Sequence, residues 1–171
     1  MCRSEPARAS LLYCRETPPH GGDTEFACMY SAFEGLCPDD KAQAEKLVAM
    51  HSVSRLETAL RGEDAAGAED ARIVRWPLVR HHPRSGRKAL YFGSDVTVGI
   101  EGWDSAQARA YLDRLEASAT RPGFRYRHAW HEGDAVLWDN RRVLHAGTPF
   151  DTTRHRREMH RTTIREDHPI R

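Results

Sequence analysis

The spacing of apolar residues divides the first third of the chain into three predicted elements. Residues 7–14 are partly apolar and predict a strand, which stops at 17–22, where a proline pair and a glycine pair impose a loop. Residues 24–36 carry apolar side chains at helical intervals, which predicts a short amphipathic helix capped by the polar residues at its start. The same spacing continues behind a cap at 38–40, so a second helix is predicted to run through about Leu60.

Beyond this point the pattern predicts one more helix and a cluster of strands. The small, acidic stretch 62–70 predicts an exposed loop, and a third helix is predicted from a cap near Asp104 to Glu116, with Ala108, Tyr111, Leu112 and Leu115 facing inward. Strands are predicted at 75–80, 88–92, 124–130, 135–139, 143–146 and 158–164, with a turn at 82–86. Helices followed by a dense group of strands favour an α+β fold with a mainly β core over regular βαβ alternation.

Composition narrows the class of protein. With 171 residues, 39% hydrophobic and 30% charged, the chain has the size and composition of one soluble globular domain. The net charge of +1 gives no general reason to expect nucleic acid as a partner. No apolar run is long enough for a signal peptide or a membrane span, so a cytoplasmic protein without a membrane partner is expected. The four cysteines form no Cys-x-x-Cys pair, which excludes a zinc ribbon and favours free thiols.

Two arginines near the end of the chain are candidate anion-binding residues. If 157–164 is a strand, Arg157 and Arg161 lie on one face, about 13 Å apart at about 3.3 Å per residue. Each guanidinium presents a planar fork that matches a carboxylate or a sulfonate. The alternative is that both are solvated or form surface ion pairs, which is the usual fate of arginine.

His145 is the candidate metal ligand. It follows the apolar pair Val143-Leu144 and precedes Ala146-Gly147, whose small side chains leave room around the imidazole. Trp138 and the polar residues after it form a corner that can orient the ring, although Trp138 is also a natural core residue. A lone histidine is more often packed or exposed than a ligand, so this assignment depends on its surroundings.

The loop at 18–24 is the third candidate. Its glycines permit close approach of a ligand to the backbone, and the hydroxyl of Thr24 can donate a hydrogen bond to a carboxylate. A turn leading into a helix cap explains the same residues. His20 and Asp23 have a His-x-x-Asp spacing, and we assign them to the loop rather than to a metal site.

Four segments in register resemble the taurine and 2,4-dichlorophenoxyacetate dioxygenases, a family of iron(II)/2-oxoglutarate oxygenases. They are Pro-Pro-x-Gly-Gly-Asp-Thr at 18–24, His-Pro-x-x-Gly-Arg-Lys-x-Leu-Tyr at 82–91, Gly-Asp-x-x-x-Trp-Asp-Asn-Arg at 133–141 before His145, and Arg-Arg-x-Met-His-Arg at 156–161. Any one of these segments is a weak signal, whereas all four in the same order span nearly the whole chain.

The resemblance implies a double-stranded β-helix, or jelly roll, with flanking helices. It further implies that His145 is the distal iron ligand, that Thr24 and Arg157 hold the far carboxylate of 2-oxoglutarate, and that Arg161 binds the anionic group of a small, taurine- or sulfonate-like substrate. The implied cofactors are iron(II), 2-oxoglutarate as co-substrate and dioxygen, with two histidines and one carboxylate as iron ligands. The expected reaction is hydroxylation of an unactivated C–H bond.

One feature of the resemblance is missing. The family has a His-x-Asp pair ahead of the Pro-Pro-x-Gly-Gly segment, and none of the ten histidines begins a His-x-Asp or His-x-Glu sequence. We therefore expect residues 1–171 to form a single partial dioxygenase domain, incomplete at the amino terminus, with little turnover because one imidazole holds a labile divalent metal weakly. The exposed sheet edges that this implies make homo-oligomers plausible.

Two other functions fit parts of the sequence. A non-enzymatic jelly-roll module could bind an anion or a 2-oxoacid through Thr24, Arg157 and Arg161 without iron. The arginine-rich stretch 154–171 could bind nucleic acid, but it lacks the interleaved aromatic residues of single-strand binders. We place nucleic-acid binding last.

Overall fold

A computed structural model describes residues 7–55 and 72–165, and eleven strands and three α-helices lie wholly within these ranges. The strands are β1 (Ala9–Glu16), β2 (Thr24–Cys28), β3 (Val48–Ser52), β4 (Ile73–Pro77), β5 (Val79–His81), β6 (Lys88–Leu90), β7 (Thr97–Ile100), β8 (Arg125–His128), β9 (Ala135–Asp139), β10 (Val143–Gly147) and β11 (Glu158–Ile164). The helices are α1 (Met29–Glu34), α2 (Pro38–Ala44) and α3 (Ser105–Ala119), and a short 3₁₀ turn covers Pro122–Phe124. The prediction of a mainly β, α+β fold is confirmed.

Two three-stranded antiparallel sheets, in the orders β11-β1-β9 and β10-β2-β8, pack face to face. Neighbouring strands come from distant parts of the chain, which is the connectivity of a jelly roll rather than of a meander. The ring of Phe26 on β2 lies 5.3 Å from that of Trp138 on β9, so side chains of the two sheets meet in the space between them.

A second layer, made of two further sheets and two helices, lies beside the paired sheets. The sheets β4-β3-β7 and β5-β6 pack with α1 and α3 around most of the buried apolar side chains. Leu78, Leu90, Ile100 and Leu115 are fully buried there, each worth roughly 2–3 kcal/mol of transfer free energy. This layer supports the paired sheets from one side.

Two helix predictions were wrong in part. Residues 24–28 form strand β2, because their backbone groups pair with β8 on one side and β10 on the other, and a helix begins only at Met29. The second helix ends at Ala44, and 48–52 form the central strand β3 between β4 and β7. A short apolar run fits both the helical repeat of about 3.6 residues and the strand repeat of about two. Here the hydrogen-bonded partner strands make both segments strands.

Most of the other predicted elements agree with the structure where it describes them. The strand predicted at 75–80 is instead divided between β4 and β5, which lie in different sheets, and β7 was not predicted. Helix α3 is capped by the side chain of Asp104 and buries the four predicted side chains, extending three residues beyond the predicted end. Strands β8 to β11 lie within a few residues of their predicted positions. Residues 56–60 of the second predicted helix and the predicted loop 62–70 lie outside the described residues.

In the described part of the chain, no helix combines the length and the apolar character needed to cross a bilayer.

Candidate functional site

His145 lies on β10, beside two aromatic rings in the space between the paired sheets. Its partner in the strand register is Phe26, whose ring lies 6.4 Å away, and the ring of Trp138 lies 4.8 Å away from the opposite sheet. Burial of the imidazole, together with the positive charge of Arg161, lowers the pKa of His145 to about 4. The ring is therefore neutral at pH 7, which is the form that ligates a metal.

Thr24 and Arg157, the two residues predicted to hold the far carboxylate of 2-oxoglutarate, are in direct contact. Thr24 is the first residue of β2 and is buried, and its Oγ1 accepts hydrogen bonds from Arg157 Nη2 at 3.3 Å and from Trp130 Nε1 at 2.9 Å. Arg157 also donates from Nε to the carbonyl of Gly22 at 2.7 Å. The hydroxyl and the guanidinium together offer hydrogen-bond donors to one carboxylate.

The backbone of the glycine pair allows this arrangement. Gly22 has φ of +68°, and a Cβ there would lie 2.8 Å from Pro18 Cγ and 3.2 Å from Arg157 Cδ. The loop can pass this close to the arginine only because it carries a glycine. His20 and Asp23 lie in this loop, as predicted.

Arg161 lies on the edge strand β11, on the face that points toward β10. The register aligns it with Leu12 of β1, and its Nη2 donates to the hydroxyl of Ser10 at 3.3 Å. Leu12 and Ser10 alternate with outward-facing residues, and Ser10 is aligned with Trp138 on β9. Arg161 therefore shares its sheet face with Trp138, the side chain that contacts His145.

Arg157 and Arg161 differ from the arginines that serve structural ion pairs. Arg141 is paired with Asp139 at 2.7 Å, and both Arg125 and Arg127 are paired with Glu25. Among the described residues, Arg157 and Arg161 form no ion pair, and the acceptors of their hydrogen bonds are the neutral groups of Gly22, Thr24 and Ser10. Their charges remain available to an anion.

A cavity of about 440 Å³ opens beside Arg157 at the end of β10. It is lined by Gly147, Thr148, Pro149, Phe150, Thr152 and Arg157. Its size is within the range of small-molecule sites in proteins.

The described residues do not complete an iron site. No group of three or more histidine, cysteine, aspartate or glutamate side chains in residues 7–55 and 72–165 is placed to hold a metal ion. His145 is the one candidate ligand that the resemblance of the sequence to the family identified. One imidazole does not fit the set of two histidines and one carboxylate that iron(II) oxygenases use.

Sequence reasoning missed the supporting residues. Trp130 was assigned only to a strand end, and its hydrogen bond to Thr24 has no local sequence signal because 106 residues separate the two. The carboxylate of Asp139 accepts hydrogen bonds from Arg141 and, at 2.9 Å, from His82 Nε2. The Asp-x-Arg spacing at 139–141 signals the first contact, and nothing nearby signals the second.

Comparison with known proteins gives the family. The taurine catabolism dioxygenase TauD, TfdA family matches residues 1–163. A 2,4-dichlorophenoxyacetate dioxygenase of Cupriavidus pinatubonensis is 41% identical over 163 residues, which cover 94% of this chain and 56% of that protein. An (S)-phenoxypropionate dioxygenase of Sphingobium herbicidovorans is 36% identical, with 90% of this chain and 56% of that protein covered.

Solved structures agree in fold. The structure of AAD-2 in complex with Mn(II) and N-oxalylglycine superposes with a TM-score of 0.85 at 35% identity, covering 98% of this chain and 67% of that one. A taurine dioxygenase from Burkholderia xenovorans gives 0.78 at 30% identity, covering 94% and 52%. The expected jelly-roll fold is thereby confirmed.

The chain spans about half the length of the curated relatives that it matches. Enzymes of this kind use iron(II), 2-oxoglutarate and dioxygen, and the relatives named above act on small organic anions. In the jelly roll, Thr24 contacts Arg157 and the ring of His145 contacts that of Trp138. Together with the family match over residues 1–163, this establishes that the chain belongs to the TauD, TfdA family of 2-oxoglutarate-dependent dioxygenases.

Proposed function

We propose that this chain is the part of an iron(II)- and 2-oxoglutarate-dependent dioxygenase that holds the co-substrate and the anionic end of a small organic substrate. In this proposal Thr24 and Arg157 bind the far carboxylate of 2-oxoglutarate, His145 supplies one iron ligand, and Arg161 binds the substrate anion. The observation that supports this proposal most directly concerns Arg157 and Arg161. Each is held by hydrogen bonds, and neither has a carboxylate partner among the described residues.

The aromatic rings near His145 support an aromatic substrate. Phe26 stacks with Tyr126 at 6.4 Å and packs with Trp138 at 5.3 Å, so an aromatic wall adjoins the face that carries Arg161. An aromatic carboxylate can place its ring on such a wall and its charge on the guanidinium. We therefore favour an aryloxy acid over the sulfonate expected from the sequence, in keeping with the relatives that act on phenoxy acids.

Calorimetry tests the co-substrate site. 2-Oxoglutarate is expected to bind the purified chain, and Arg157→Lys is expected to weaken binding by roughly tenfold, because the flexible ammonium retains the charge and loses the planar fork. Arg156→Lys is the matched control, since that exposed side chain forms ion pairs with Glu16 and Glu158. An equal effect of the two substitutions would contradict the proposal.

Turnover is a separate question. With one candidate iron ligand among the described residues, succinate formation from 2-oxoglutarate, iron(II) and phenoxyacetate by this chain alone is expected to be very low. Robust turnover that is abolished by His145→Ala would show that this expectation is wrong and that His145 acts in a complete iron centre.

The alternative is a module that binds a 2-oxoacid or another anion without catalysis. Arg157 and Arg161 support this alternative equally well. Their hydrogen-bond acceptors are uncharged, and neither arginine needs a metal in order to attract a carboxylate. Metal-free binding of 2-oxoglutarate at the same affinity as in the presence of Mn(II) favours the module. Binding that requires the metal excludes it.

We further propose that residues 1–171 form one partial domain that self-associates. The outward face of the sheet β11-β1-β9 exposes Tyr13, Leu137 and Ile164, with Leu137 59% exposed. Exposed apolar side chains grouped on one sheet face favour association. Sedimentation at micromolar concentration should give a molar mass above that of the monomer. Leu137→Lys should shift the measured mass toward that of the monomer.

A further inference from the structure

The anchor of Arg161 is a buried hydroxyl. Arg161 Nη2 donates to Ser10 Oγ at 3.3 Å, and this is the one hydrogen bond of that side chain among the described residues. Ser10 lies on β1 and is fully buried, whereas Arg161 is exposed on an edge strand. A long side chain at such a position has many rotamers open to it, so a single fixed acceptor determines where its charge points.

Asn140 holds the hydroxyl in turn. Asn140 Nδ2 donates to Ser10 Oγ at 3.0 Å, and Oδ1 of the same amide lies 3.3 Å from that oxygen. A serine hydroxyl has two lone pairs and one proton, so it can accept from both Asn140 and Arg161 while directing its proton toward the amide oxygen. The backbone N–H of Asn140 donates to the carbonyl of Arg8 at 3.0 Å. Arg8 immediately precedes β1, so this bond connects the asparagine to the start of that strand.

The corner that carries Asn140 also leads into the His145 strand. Residues 140–142 join β9, which ends at Asp139, to β10, which contains His145. The corner is held rigidly, because the carboxylate of Asp139 accepts from Arg141 at 2.8 and 2.7 Å and from His82 at 2.9 Å. One fixed turn thus sets the position of His145 along β10 and, through Ser10, the direction of the Arg161 guanidinium.

We infer that Ser10 and Asn140 are positioning residues that aim Arg161 at the anionic group of the substrate. They do so without neutralising it, because both are uncharged. This inference rests on the proposed function of Arg161 and adds two residues that determine how tightly the substrate anion is held. It also gives a role to the fully buried Ser10 hydroxyl on a face that β1 and β9 otherwise fill with Leu12, Cys14, Val136 and Trp138.

The test compares two ligands on one set of variants. Ser10→Ala removes the acceptor, and it should raise the Kd of phenoxyacetate by about three- to tenfold, as expected from the net value of one hydrogen bond, while the Kd of 2-oxoglutarate at Arg157 stays unchanged. Asn140→Asp is nearly isosteric and brings a negative charge to the anchor, so it should weaken phenoxyacetate binding further. Ser10→Thr retains the hydroxyl and should restore binding.

Ser52→Ala is the matched control. Ser52 is also fully buried in a strand, and its Oγ accepts from the backbone N–H of Arg55, but it lies in the sheet β4-β3-β7 away from Arg161. It should change the stability of the chain and neither Kd. A second readout is the Arg161 Nε–H resonance in ¹⁵N NMR spectra, which should shift and broaden in Ser10→Ala if the guanidinium is released.

Each outcome has a distinct meaning. If Ser10→Ala leaves phenoxyacetate binding unchanged, or weakens both ligands equally, Ser10 has no positioning role, while the proposed function stands as long as Arg157→Lys weakens 2-oxoglutarate binding. If the unsubstituted chain binds neither ligand, the proposed function and this inference are overturned together. Loss of phenoxyacetate binding alone, restored by Ser10→Thr, supports the inference.

Discussion

Arg157 donates a hydrogen bond to the hydroxyl of Thr24 across 3.3 Å, although 133 residues separate them in the chain. The contact joins the end of the loop before β11 to the first residue of β2, so it links the two paired sheets. The hydroxyl also accepts from Trp130, which leaves its own proton free to point toward a ligand. This pair of residues is the part of the candidate site that the structure defines in most detail.

Replacing Thr24 by valine tests the double role of its hydroxyl. Thr24→Val retains the shape and leaves the buried Trp130 N–H without its acceptor, so unfolding should become easier by about 1–3 kcal/mol. The affinity for 2-oxoglutarate should fall as well. Urea unfolding and calorimetry measure the two effects, and Thr24→Ser, which keeps the oxygen, should recover most of both.

Gly22 and Gly86 provide a matched pair of substitutions. Both have φ of +68°, but a Cβ at Gly22 would meet Pro18 and Arg157, whereas a Cβ at Gly86 has nothing within 4 Å. Alanine at either position therefore carries the same backbone strain of about 1–2 kcal/mol. Gly22→Ala should additionally displace Arg157 and weaken 2-oxoglutarate binding by about tenfold. Equal binding by both variants would show that the close approach does not matter.

Asp139→Asn should destabilise the chain strongly. The substitution removes the negative charge that the buried side chains of Arg141 and His82 contact, and removing one partner of a buried ion pair costs about 3–5 kcal/mol. Asp113→Asn is the control, because the ion pair of Asp113 with Arg109 is exposed and should contribute less than about 1 kcal/mol. A thermal melt of the two variants distinguishes them, and similar melting temperatures would contradict the assignment.

His51 should make the stability of the chain depend on pH. Burial, and then the charge of Arg80, lower the pKa of His51 to about 4, whereas an unfolded histidine has its ordinary value near 6.5. Between these values the unfolded state binds the extra proton, so the free energy of unfolding falls as the pH drops from 7 toward 4. From pH 7 to pH 5 the loss attributable to His51 is about 2 kcal/mol.

The measurement is urea unfolding at both pH values. His51→Gln cannot titrate, so its difference between pH 7 and pH 5 should be smaller than that of the unsubstituted chain by about the same amount. His81→Gln, at an exposed histidine on the neighbouring sheet β5-β6, serves as the control. A pH difference that is identical in all three chains would exclude His51 as the source.

The fold was predictable where the local pattern has a single interpretation. Helix α3 has a capping aspartate and four inward side chains at helical spacing, and its structure agrees with the prediction. The strands β9 and β11 alternate clearly and follow turn residues. Residues 24–28 and 48–52 have apolar spacings that suit a helix, and they are strands because β2 and β3 each pair with a strand on both sides. Those partners lie elsewhere in the chain and leave no mark on the local pattern.

The residues of the candidate site are predictions from the sequence and its resemblance to the family. The order of the four segments and the types of their residues pointed to His145, Thr24, Arg157 and Arg161. Strand alternation over 157–164 predicted that the two arginines share a face, but β11 begins at Glu158, so Arg157 lies before the strand and alternation does not determine its direction. The sequence further established the absence of a His-x-Asp pair from this chain. The four candidate residues came from the resemblance to the family, whereas the missing His-x-Asp pair follows from the residues alone.

What tertiary structure decided is the state of each side chain. Strand pairing brought Ser10 beneath Arg161 and Trp130 against Thr24, and it left both site arginines with neutral acceptors while Arg141 received a carboxylate. The physical reason is that a charge is neutralised or kept available by groups within about 4 Å in space, and in a sheet of distant strands those groups are tens of residues away in sequence. Sequence determined which chemical groups the chain contains, and the folded sheets determined which of them remain available to a ligand.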